Sequence, residues 1–304
     1  MTLGFKLIYS DRYNLNLGEH IFPTVKYRMI RDRLLANGIA QPGDFVEPSP
    51  ARDEDMLRVH TPAWVEVLQS GRLSASQAAE LEIPYSKEMV KAVWLATGGS
   101  IEAGRRALDD SIGFNIGGGF HHAFADHGEG FCAINDVAVA VRSLQASSGI
   151  GRAMIVDCDV HQGNGTAAIF GDDPDVFTVS MHQFHNYPQE KPASDLDIHL
   201  ADGCGDDEYL AILAARFPPA VYDFQPDLLF YVAGADPFGD DQLGSLALTI
   251  DGLKRRDLLV LKTARRYGIP VAIVLAGGYA RRVEDTVAIH ANTAAAAAEV
   301  IAAV

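Results

Sequence analysis

Short runs of continuous apolar residues alternate along the chain with longer segments whose apolar positions recur at helical spacing. The continuous runs predict strands that are buried on both faces, and the longer segments predict amphipathic helices. The runs lie at residues 5–9, 114–116, 153–156, 176–180, 227–233 and 270–276. Helical spacing occurs at residues 26–37, 53–60, 62–70, 86–108, 135–146, 207–217, 253–267 and 284–303. This alternation predicts an α/β fold with one open, mostly parallel sheet and helices on both faces.

Loops and breaks follow from glycine, proline and charged residues. Pro218 and Pro219 predict the end of a helix at residue 217. Residues 188–205 read as a long irregular stretch, and residues 120–130 read as a loop on which His127 and Glu129 are solvated. Because the chain shows no repeat, linker or change of composition, we expect a single domain over residues 1–304.

Composition narrows the class of protein. The chain has 304 residues, 48% of them hydrophobic, and a formal net charge of −15. This acidic balance argues against direct nucleic-acid binding, which needs a basic surface. The three cysteines form no CxxC motif and are odd in number, which is typical of free thiols in a reducing compartment. With no signal-peptide pattern and no apolar run of membrane-spanning length, we expect a cytoplasmic protein without a membrane partner.

The first group of candidate functional residues lies just past the apolar run at residues 153–156. Asp157, Asp159 and His161 follow at alternate positions, and alternate side chains of an extended backbone point to the same face. Two carboxylates and an imidazole suit Zn²⁺ or a similar divalent ion. The structural alternative is that these acidic residues simply end a strand in solvent.

Unusual polar residues also follow three other predicted strands. His121 and His122 follow the run at 114–116, Asp236 follows the run at 227–233, and Tyr279 follows the run at 270–276. In open α/β sheets the functional crevice lies outside the carboxyl ends of the strands. One parallel sheet therefore brings these segments to one mouth.

The residue types define a reaction class. Asp159, His161 and Asp236 supply three ligands and leave a position open, as in catalytic zinc sites. His121 and His122 have suitable ordinary pKa values for a base and an acid. The remaining candidates are Tyr279, as a donor to a developing oxyanion, and Asp157 and Asn164, as residues that orient the histidines. The set implies metal-assisted hydrolysis of an amide or ester.

At this point the chain resembles the histone deacetylase family of zinc-dependent deacylases, which has the arginase–deacetylase fold. The segments that carry the resemblance are 117–122 (GGGFHH), 130–132 (GFC), 157–165 (DCDVHQGNG), 234–236 (GAD) and 277–279 (GGY). The DVHQGNG form resembles the class IV branch and its bacterial relatives. Asn164 stands where classes I and II usually carry Asp, so the division of work between the two histidines stays open.

The resemblance implies a role for each matching residue. Asp159, His161 and Asp236 bind Zn²⁺, with Fe²⁺ as an alternative; His122 activates water and protonates the leaving amine; His121, held by Asp157, is its electrostatic partner; and Tyr279 polarises the carbonyl. The residues expected along the substrate tunnel are Gly130, Phe131, Gly277 and Gly278. The resemblance also implies a structural K⁺ or Na⁺ ion at Asp157, Asp159, His161, Ser180 and Met181, and a weaker second site at Phe170, Asp173, Val176 and Tyr209.

The implied activity is removal of acetyl or longer acyl groups from lysine side chains of a protein or peptide, or from a small acylated amine. The class IV resemblance favours a long acyl chain. Three alternatives stay open: an acetylpolyamine or other small-molecule amidohydrolase, an arginase-like binuclear hydrolase, and an inactive acyl-binding module. The sequence predicts no oligomeric state.

Overall fold

The computed structural model describes residues 3–303, which contain one sheet of eight strands. The strands are β1 (Lys6–Ile8), β2 (Phe45–Val46), β3 (Ile112–Asn115), β4 (Ala153–Asp157), β5 (Val176–Gln183), β6 (Leu196–Leu200), β7 (Leu228–Val232) and β8 (Val271–Val274). Their order across the sheet is β2-β1-β3-β8-β7-β4-β5-β6, and the neighbouring strands pair in parallel. The predicted open, mostly parallel sheet is confirmed.

Helices flank the sheet and connect its strands. They are α1 (Lys26–Ala36), α2 (Asp53–Met56), α3 (Pro62–Ser70), α4 (Ala75–Leu81), α5 (Lys87–Asp110), α6 (Asp136–Ser147), α7 (Asn164–Phe170), α8 (Asp206–Phe224), α9 (Ile250–Arg266) and α10 (Val283–Ala302). Short 3-10 turns occur at Asp11–Tyr13 and Pro42–Asp44. Among residues 3–303, no helix combines the length and the apolar character needed to cross a membrane.

Alternate residues of the central strands pack into two hydrophobic clusters, one on each face of the sheet. In β4, Met154 and Val156 belong to one cluster, whereas Ala153 and Ile155 belong to the other. This split follows from the two-residue period of a strand. The first cluster is completed mainly by α1, α8, α9 and α10, and the second mainly by α3, α5 and α6. Burial on both faces explains why the strands read as continuous apolar runs.

Helix α8 continues through Pro218 and Pro219, so the predicted end at residue 217 was wrong. Each proline lacks a backbone donor and frees the carbonyl four residues earlier. Those two carbonyls belong to exposed residues, so water can bind them. Phe217 and Val221 are buried one turn apart. Their packing outweighs the two lost hydrogen bonds.

The stretch at 188–205 contains β6, so the prediction of a fully irregular segment was also wrong. Leu196, Ile198 and Leu200 alternate with polar residues, which is a strand pattern. The prolines and glycines around this short edge strand obscured the pattern. Helix α4 was not predicted, and α2 ends four residues earlier than expected.

Helix α7 begins at Asn164 and was not predicted. Two glycines near its start lower the helix propensity and hid it. Gly165 is required there because a Cβ would lie 2.2 Å from the carbonyl oxygen of Ala123. The amide of Thr166 donates to the carbonyl of His121 at 3.1 Å. The first turn of α7 is therefore packed directly against the segment that carries both candidate histidines.

All three cysteines are buried and free, as the sequence predicted. Burial raises the pKa of Cys158 to about 12 and that of Cys204 to about 11. These thiols stay protonated at neutral pH, which suits packing residues rather than nucleophiles.

Strands β3, β8, β7 and β4 are consecutive neighbours in the middle of the sheet. Because they are parallel, their carboxyl ends lie along one edge. The four segments that the sequence marked as chemically unusual follow these four strands. The topology therefore brings them together at the predicted mouth.

Candidate active site

Asp159, His161 and Asp236 form a compact, buried group that could hold a metal ion. One ligand atom from each residue lies within 4.8 Å of the others. His161 Nδ1 is 3.0 Å from Asp159 Oδ1 and 3.6 Å from Asp236 Oδ2. The side chains of both carboxylates are at most 1% exposed. Three hard or borderline ligands with little access to water are the donor set that a catalytic divalent ion uses.

Backbone amides hold both carboxylates in place. Val160 N donates to Asp236 Oδ1 at 2.8 Å, and Gly277 N donates to Asp159 Oδ2 at 2.9 Å. Gly277 is required by close approach, because a Cβ there would lie 1.9 Å from Asp236 Oδ2. That Asp236 oxygen is buried and has no hydrogen-bond partner among residues 3–303. A buried carboxylate oxygen without a donor is costly unless a cation binds it, so the group fits a metal ion.

The charges of the three residues shift one another's pKa values strongly. Burial alone would lower the pKa of His161, but the hydrogen bond to Asp159 and the nearby negative charge of Asp236 outweigh it and raise the pKa to about 10. Burial raises the pKa of Asp236, and the neighbouring Asp159 raises it further. Burial opposes ionisation of Asp159 too, but the charges of His121 and His161 outweigh burial and lower its pKa. Without an ion, His161 therefore holds a proton at neutral pH.

His121 and His122 lie beside this group and have different partners. His121 Nδ1 lies 2.6 Å from Asp157 Oδ2, and His122 Nδ1 lies 2.7 Å from Asn164 Oδ1. Asp157 Oδ1 also accepts the amide of Asp159 at 3.0 Å. The predicted pairings of Asp157 and Asn164 with the two histidines are therefore present as hydrogen bonds.

The pKa values of these two histidines move in opposite directions. Burial lowers that of His121, but the Asp157 and Asp159 carboxylates outweigh burial and raise it to about 9. Burial lowers the pKa of His122 well below its usual value, and the charges of His121 and His161 lower it further. At neutral pH the pair therefore holds one cationic and one neutral ring.

Asp136 anchors the loop that carries the histidines, and sequence reasoning missed it. Its carboxylate accepts the amides of Gly119 at 3.0 Å and Phe120 at 2.7 Å, and the hydroxyl of Ser100 at 2.5 Å. Asp136 is the first residue of α6 and is fully buried. The sequence signal was an acidic residue at a helix start, which by itself indicates only a favourable helix terminus.

Tyr279 follows β8 and faces the same cleft. Its amide donates to Asp241 Oδ2 at 2.6 Å. Its ring lies 6.0 Å, centroid to centroid, from the rings of Phe22 and Phe131. Burial raises the pKa of its hydroxyl well above the usual value, and the nearby Asp236 adds to this. The hydroxyl is therefore a hydrogen-bond donor throughout the neutral range.

The cleft above these residues has a volume of about 190 Å³. Its walls are formed by Glu82, His122, Gly130, Phe131, His161, Asn186, Tyr187, Leu243 and Tyr279. Gly130 and Phe131, two of the expected tunnel residues, thus line the cleft. Gly277 and Gly278 do not; Gly277 lies against the carboxylates, and Gly278 lies against Thr286.

The Glu129 side chain is hydrogen-bonded and only partly exposed, so the expectation that it is solvated was wrong. Its Oε1 atom accepts hydrogen bonds from Asn164 Nδ2 at 2.5 Å and from the Tyr187 hydroxyl at 2.5 Å. The Glu129 side chain is only 21% exposed. The Tyr187 ring stands edge-on to the ring of His122, with centroids 4.9 Å apart. Sequence reasoning missed both contacts because they join residues far apart in the chain.

The residues of the first expected monovalent-cation site lie next to the candidate metal group. Asp157 and Ser180 are register partners on β4 and β5, and Met181 is buried beside them. The Ser180 hydroxyl lies 2.9 Å from His182 Nδ1. Of the second set, Phe170, Asp173 and Val176 lie in one turn between α7 and β5, and Tyr209 lies on α8.

A second group of ligand-type residues, His182, Asp197 and His199, lies across β5 and β6. His182 and His199 are register partners on these strands. Their rings lie 5.0 Å apart, centroid to centroid. His199 is exposed, so this group is more open to water than the buried set at Asp159, His161 and Asp236.

This chain is similar to known proteins in both sequence and fold. The model of the histone deacetylase domain matches residues 20–295. An uncharacterized protein of Picosynechococcus sp. is 42% identical, covering 98% of this chain and 100% of its own length. Histone deacetylase 2 of Arabidopsis thaliana is 32% identical over 92% of this chain and 77% of its own. A probable deacetylase of Methanothermobacter thermautotrophicus is 30% identical over 90% and 85%.

The crystal structure of the HDA15 HD domain has the same fold, with a TM-score of 0.81 at 23% identity. It covers 97% of this chain, which covers 87% of that domain. The resemblance inferred from the motifs and the expected arginase–deacetylase fold are both confirmed. The chain belongs to the histone deacetylase family.

Proposed function

We propose that this chain is a metal-dependent amidohydrolase that removes acetyl or longer acyl groups from lysine side chains or from a similar acylated amine. The observation that carries the proposal is the unpartnered, buried oxygen of Asp236. It lies in a three-ligand group beside two histidines with opposite pKa shifts. The relatives named as deacetylases support the reaction class. We also propose that residues 1–304 form one catalytic domain, because the candidate site residues follow strands of a single sheet.

Asp159, His161 and Asp236 would hold the ion, with Zn²⁺ as the first candidate and Fe²⁺ as the second. Their oxygen and nitrogen donors suit either ion. When bound, such an ion acts as a Lewis acid: it polarises the substrate carbonyl and lowers the pKa of a water molecule, which then loses a proton readily and attacks. Asp157, Asp159, His161, Ser180 and Met181 would also hold a structural K⁺ or Na⁺ ion, which the adjacency of Asp157 and Ser180 supports.

His122 is the general base and acid in this proposal. A base must be unprotonated at the working pH, and burial with neighbouring positive charge keeps His122 neutral. Its ring takes a proton from the attacking water and then gives it to the departing amine. His121 stays protonated because Asp157 stabilises its charge, and it contributes positive charge rather than a proton.

Tyr279 donates a hydrogen bond to the oxyanion that develops on the substrate carbonyl. Its raised pKa keeps the hydroxyl protonated, and the hydrogen bond between its amide and Asp241 holds the backbone in position. A preorganised donor of this kind stabilises the transition state more than the ground state. The aromatic walls at Phe131 and Tyr187 suit the apolar stem of an acyl-lysine side chain.

The proposal leaves two features of the substrate to be determined, the acyl group and the amine that carries it. The experiment measures hydrolysis of lysine peptides carrying acetyl, octanoyl and myristoyl groups, together with N-acetylputrescine. Each substrate is tested with metal-loaded, chelator-treated and metal-restored enzyme. Turnover that chelation removes and metal restores supports the proposal, and the best substrate defines the acyl group. If the loaded enzyme leaves every substrate intact, the arginase-like and acyl-binding alternatives take its place.

A further inference from the structure

Glu129 lies behind the candidate base, on the far side of Asn164. It begins the tight turn at residues 129–132, in which Cys132 N donates to the carbonyl of Glu129 at 2.8 Å. The next two residues, Gly130 and Phe131, have positive φ angles of 53° and 68° and line the cleft. One turn thus carries both a cleft wall and an acidic side chain that is only partly exposed.

A continuous hydrogen-bonded chain joins this carboxylate to the imidazole of His122. Glu129 Oε1 lies 2.5 Å from Asn164 Nδ2, and Asn164 Oδ1 lies 2.7 Å from His122 Nδ1. Asn164 and His122 are 2% and 5% exposed. Little water therefore competes for the amide or for the inner nitrogen of the ring.

The chemistry of the three groups fixes the direction of each hydrogen bond. An ionised carboxylate only accepts, so the Asn164 amide must present its NH₂ to Glu129 and its oxygen to the ring. An amide oxygen also only accepts, so His122 Nδ1 must carry a hydrogen. The lone pair of the neutral ring is then on Nε2, the nitrogen a base needs free. Without the carboxylate, the amide of Asn164 could turn over and offer its NH₂ to His122 instead.

We propose that Glu129 is a positioning residue for His122: through Asn164 it selects the Nδ1–H tautomer and places a negative charge behind the ring. This inference rests on the proposed function, since it assigns His122 as the base. When His122 takes a proton, its new positive charge is stabilised by a carboxylate two hydrogen bonds away. Asn164 alone, being neutral, supplies no such charge. Glu129 and Asn164 together therefore supply the negative charge and the hydrogen-bond acceptor that one carboxylate in contact with His122 would supply.

The same oxygen of Glu129 also holds the Tyr187 hydroxyl at 2.5 Å. Tyr187 lies on the cleft wall, with its ring edge-on to His122. The structure therefore offers a matched pair of variants. Glu129→Gln keeps the shape and removes the charge behind Asn164, whereas Tyr187→Phe removes the other hydrogen bond and leaves Asn164 untouched.

The kinetic test compares these variants as metal-loaded enzymes on the best substrate of the panel. For Glu129→Gln we expect kcat to fall about ten- to hundredfold, as for other residues that orient a catalytic group, with KM and metal content nearly unchanged. Tyr187→Phe should act mainly on KM. The double variant Glu129→Gln, Asn164→Asp puts a carboxylate directly on His122 and should recover kcat. A Glu129→Gln enzyme with wild-type kcat, or a double variant no better than Glu129→Gln, would overturn the assignment.

A second readout does not need turnover. The nitrogen NMR signals of His122 in the zinc-loaded protein distinguish a hydrogen on Nδ1 from one on Nε2. We expect the Nδ1–H form in the parent protein and a mixture of the two forms in Glu129→Gln. The Nε2–H form in the parent, or no change in the variant, overturns the assignment. If no substrate is hydrolysed but these spectra behave as expected, the proposed function fails while the positioning of His122 by Glu129 stands.

Discussion

The imidazole rings of His121 and His122 lie 4.0 Å apart, centroid to centroid, yet one is biased to be charged and the other to be neutral. Their inner nitrogens explain the difference, because His121 faces the Asp157 carboxylate and His122 faces the Asn164 amide. Two titratable groups whose environments separate their pKa values are a common basis for acid and base assignments. The partner of each histidine is therefore the part of the site to alter first.

Asp157→Asn should change the pH dependence of activity. In the parent enzyme, His121 is protonated below a pKa of about 9, so kcat should hold at neutral pH and fall as the pH rises through that value. Removing the Asp157 charge lowers the pKa of His121 and should move this alkaline limb to lower pH. Profiles of kcat for the two metal-loaded enzymes measure the shift. Alkaline limbs at the same pH in both enzymes would argue against a charged His121.

Metal binding should become tighter as the pH rises. The pKa of His161 is raised to about 10 from its usual 6.5, so an ion must displace a proton at every pH below that value. With one proton released, the apparent affinity rises about tenfold per pH unit. Calorimetric titration with Zn²⁺ in buffers of different protonation enthalpy counts the released protons directly. An affinity that is flat between neutral pH and pH 9 contradicts the predicted protonation of His161.

Asp236→Ala and His161→Ala should each lower metal content and activity together. Either change removes one of the three ligands, and the two ligands that remain cannot complete the site. Asp240→Ala is the matched control, because Asp240 lies on the same loop and pairs with Arg281 at the surface. Elemental analysis of the purified variants gives the metal content. Full occupancy in either ligand variant would remove that residue from the site.

Tyr279→Phe should lower kcat about 10²–10³-fold, the usual cost of removing one oxyanion donor. Metal content should stay at the parent level, since the change leaves Asp159, His161 and Asp236 intact. Tyr222→Phe, at an exposed position on α8, controls for the loss of a tyrosine hydroxyl as such. Steady-state kinetics on the best substrate compares the three enzymes. Near-parent turnover in Tyr279→Phe would show that its hydroxyl plays no part in the reaction.

The sequence predicted the sheet and the convergence of its loops at one edge, because both depend on local patterns. The apolar run of β4 and the alternation of Asp157, Asp159 and His161 lie within a few residues of each other. Their place at the mouth follows from one rule about parallel strands. The bond between Glu129 and Asn164 follows from no local pattern. It depends on where α7 begins, and the two glycines near that point argue against a helix.

Tertiary packing also decided the other errors. In α8, Pro219 is exposed and Pro218 is half-buried, while Phe217 beside them is buried. A single sequence shows the prolines but not which side of the helix they occupy. Asp136 likewise reads as an ordinary helix start, and only the fold brings the loop amides of Gly119 and Phe120 to its carboxylate.

Arg256 should be essential for the stability of the site's framework. Its guanidinium is fully buried and donates to the carbonyls of Cys158 at 3.1 Å and Gly234 at 2.7 Å, beside the ligand residues. It also pairs with the buried Asp257 at 2.9 Å. Arg256→Met removes the positive charge beside that buried carboxylate and the donor to both carbonyls, and breaking a buried pair costs about 3–5 kcal/mol. Arg255→Ala, the exposed neighbour, should cost about 0.5 kcal/mol or less. Equilibrium unfolding in urea measures both; equal, small losses would show that Arg256 does not support these loops.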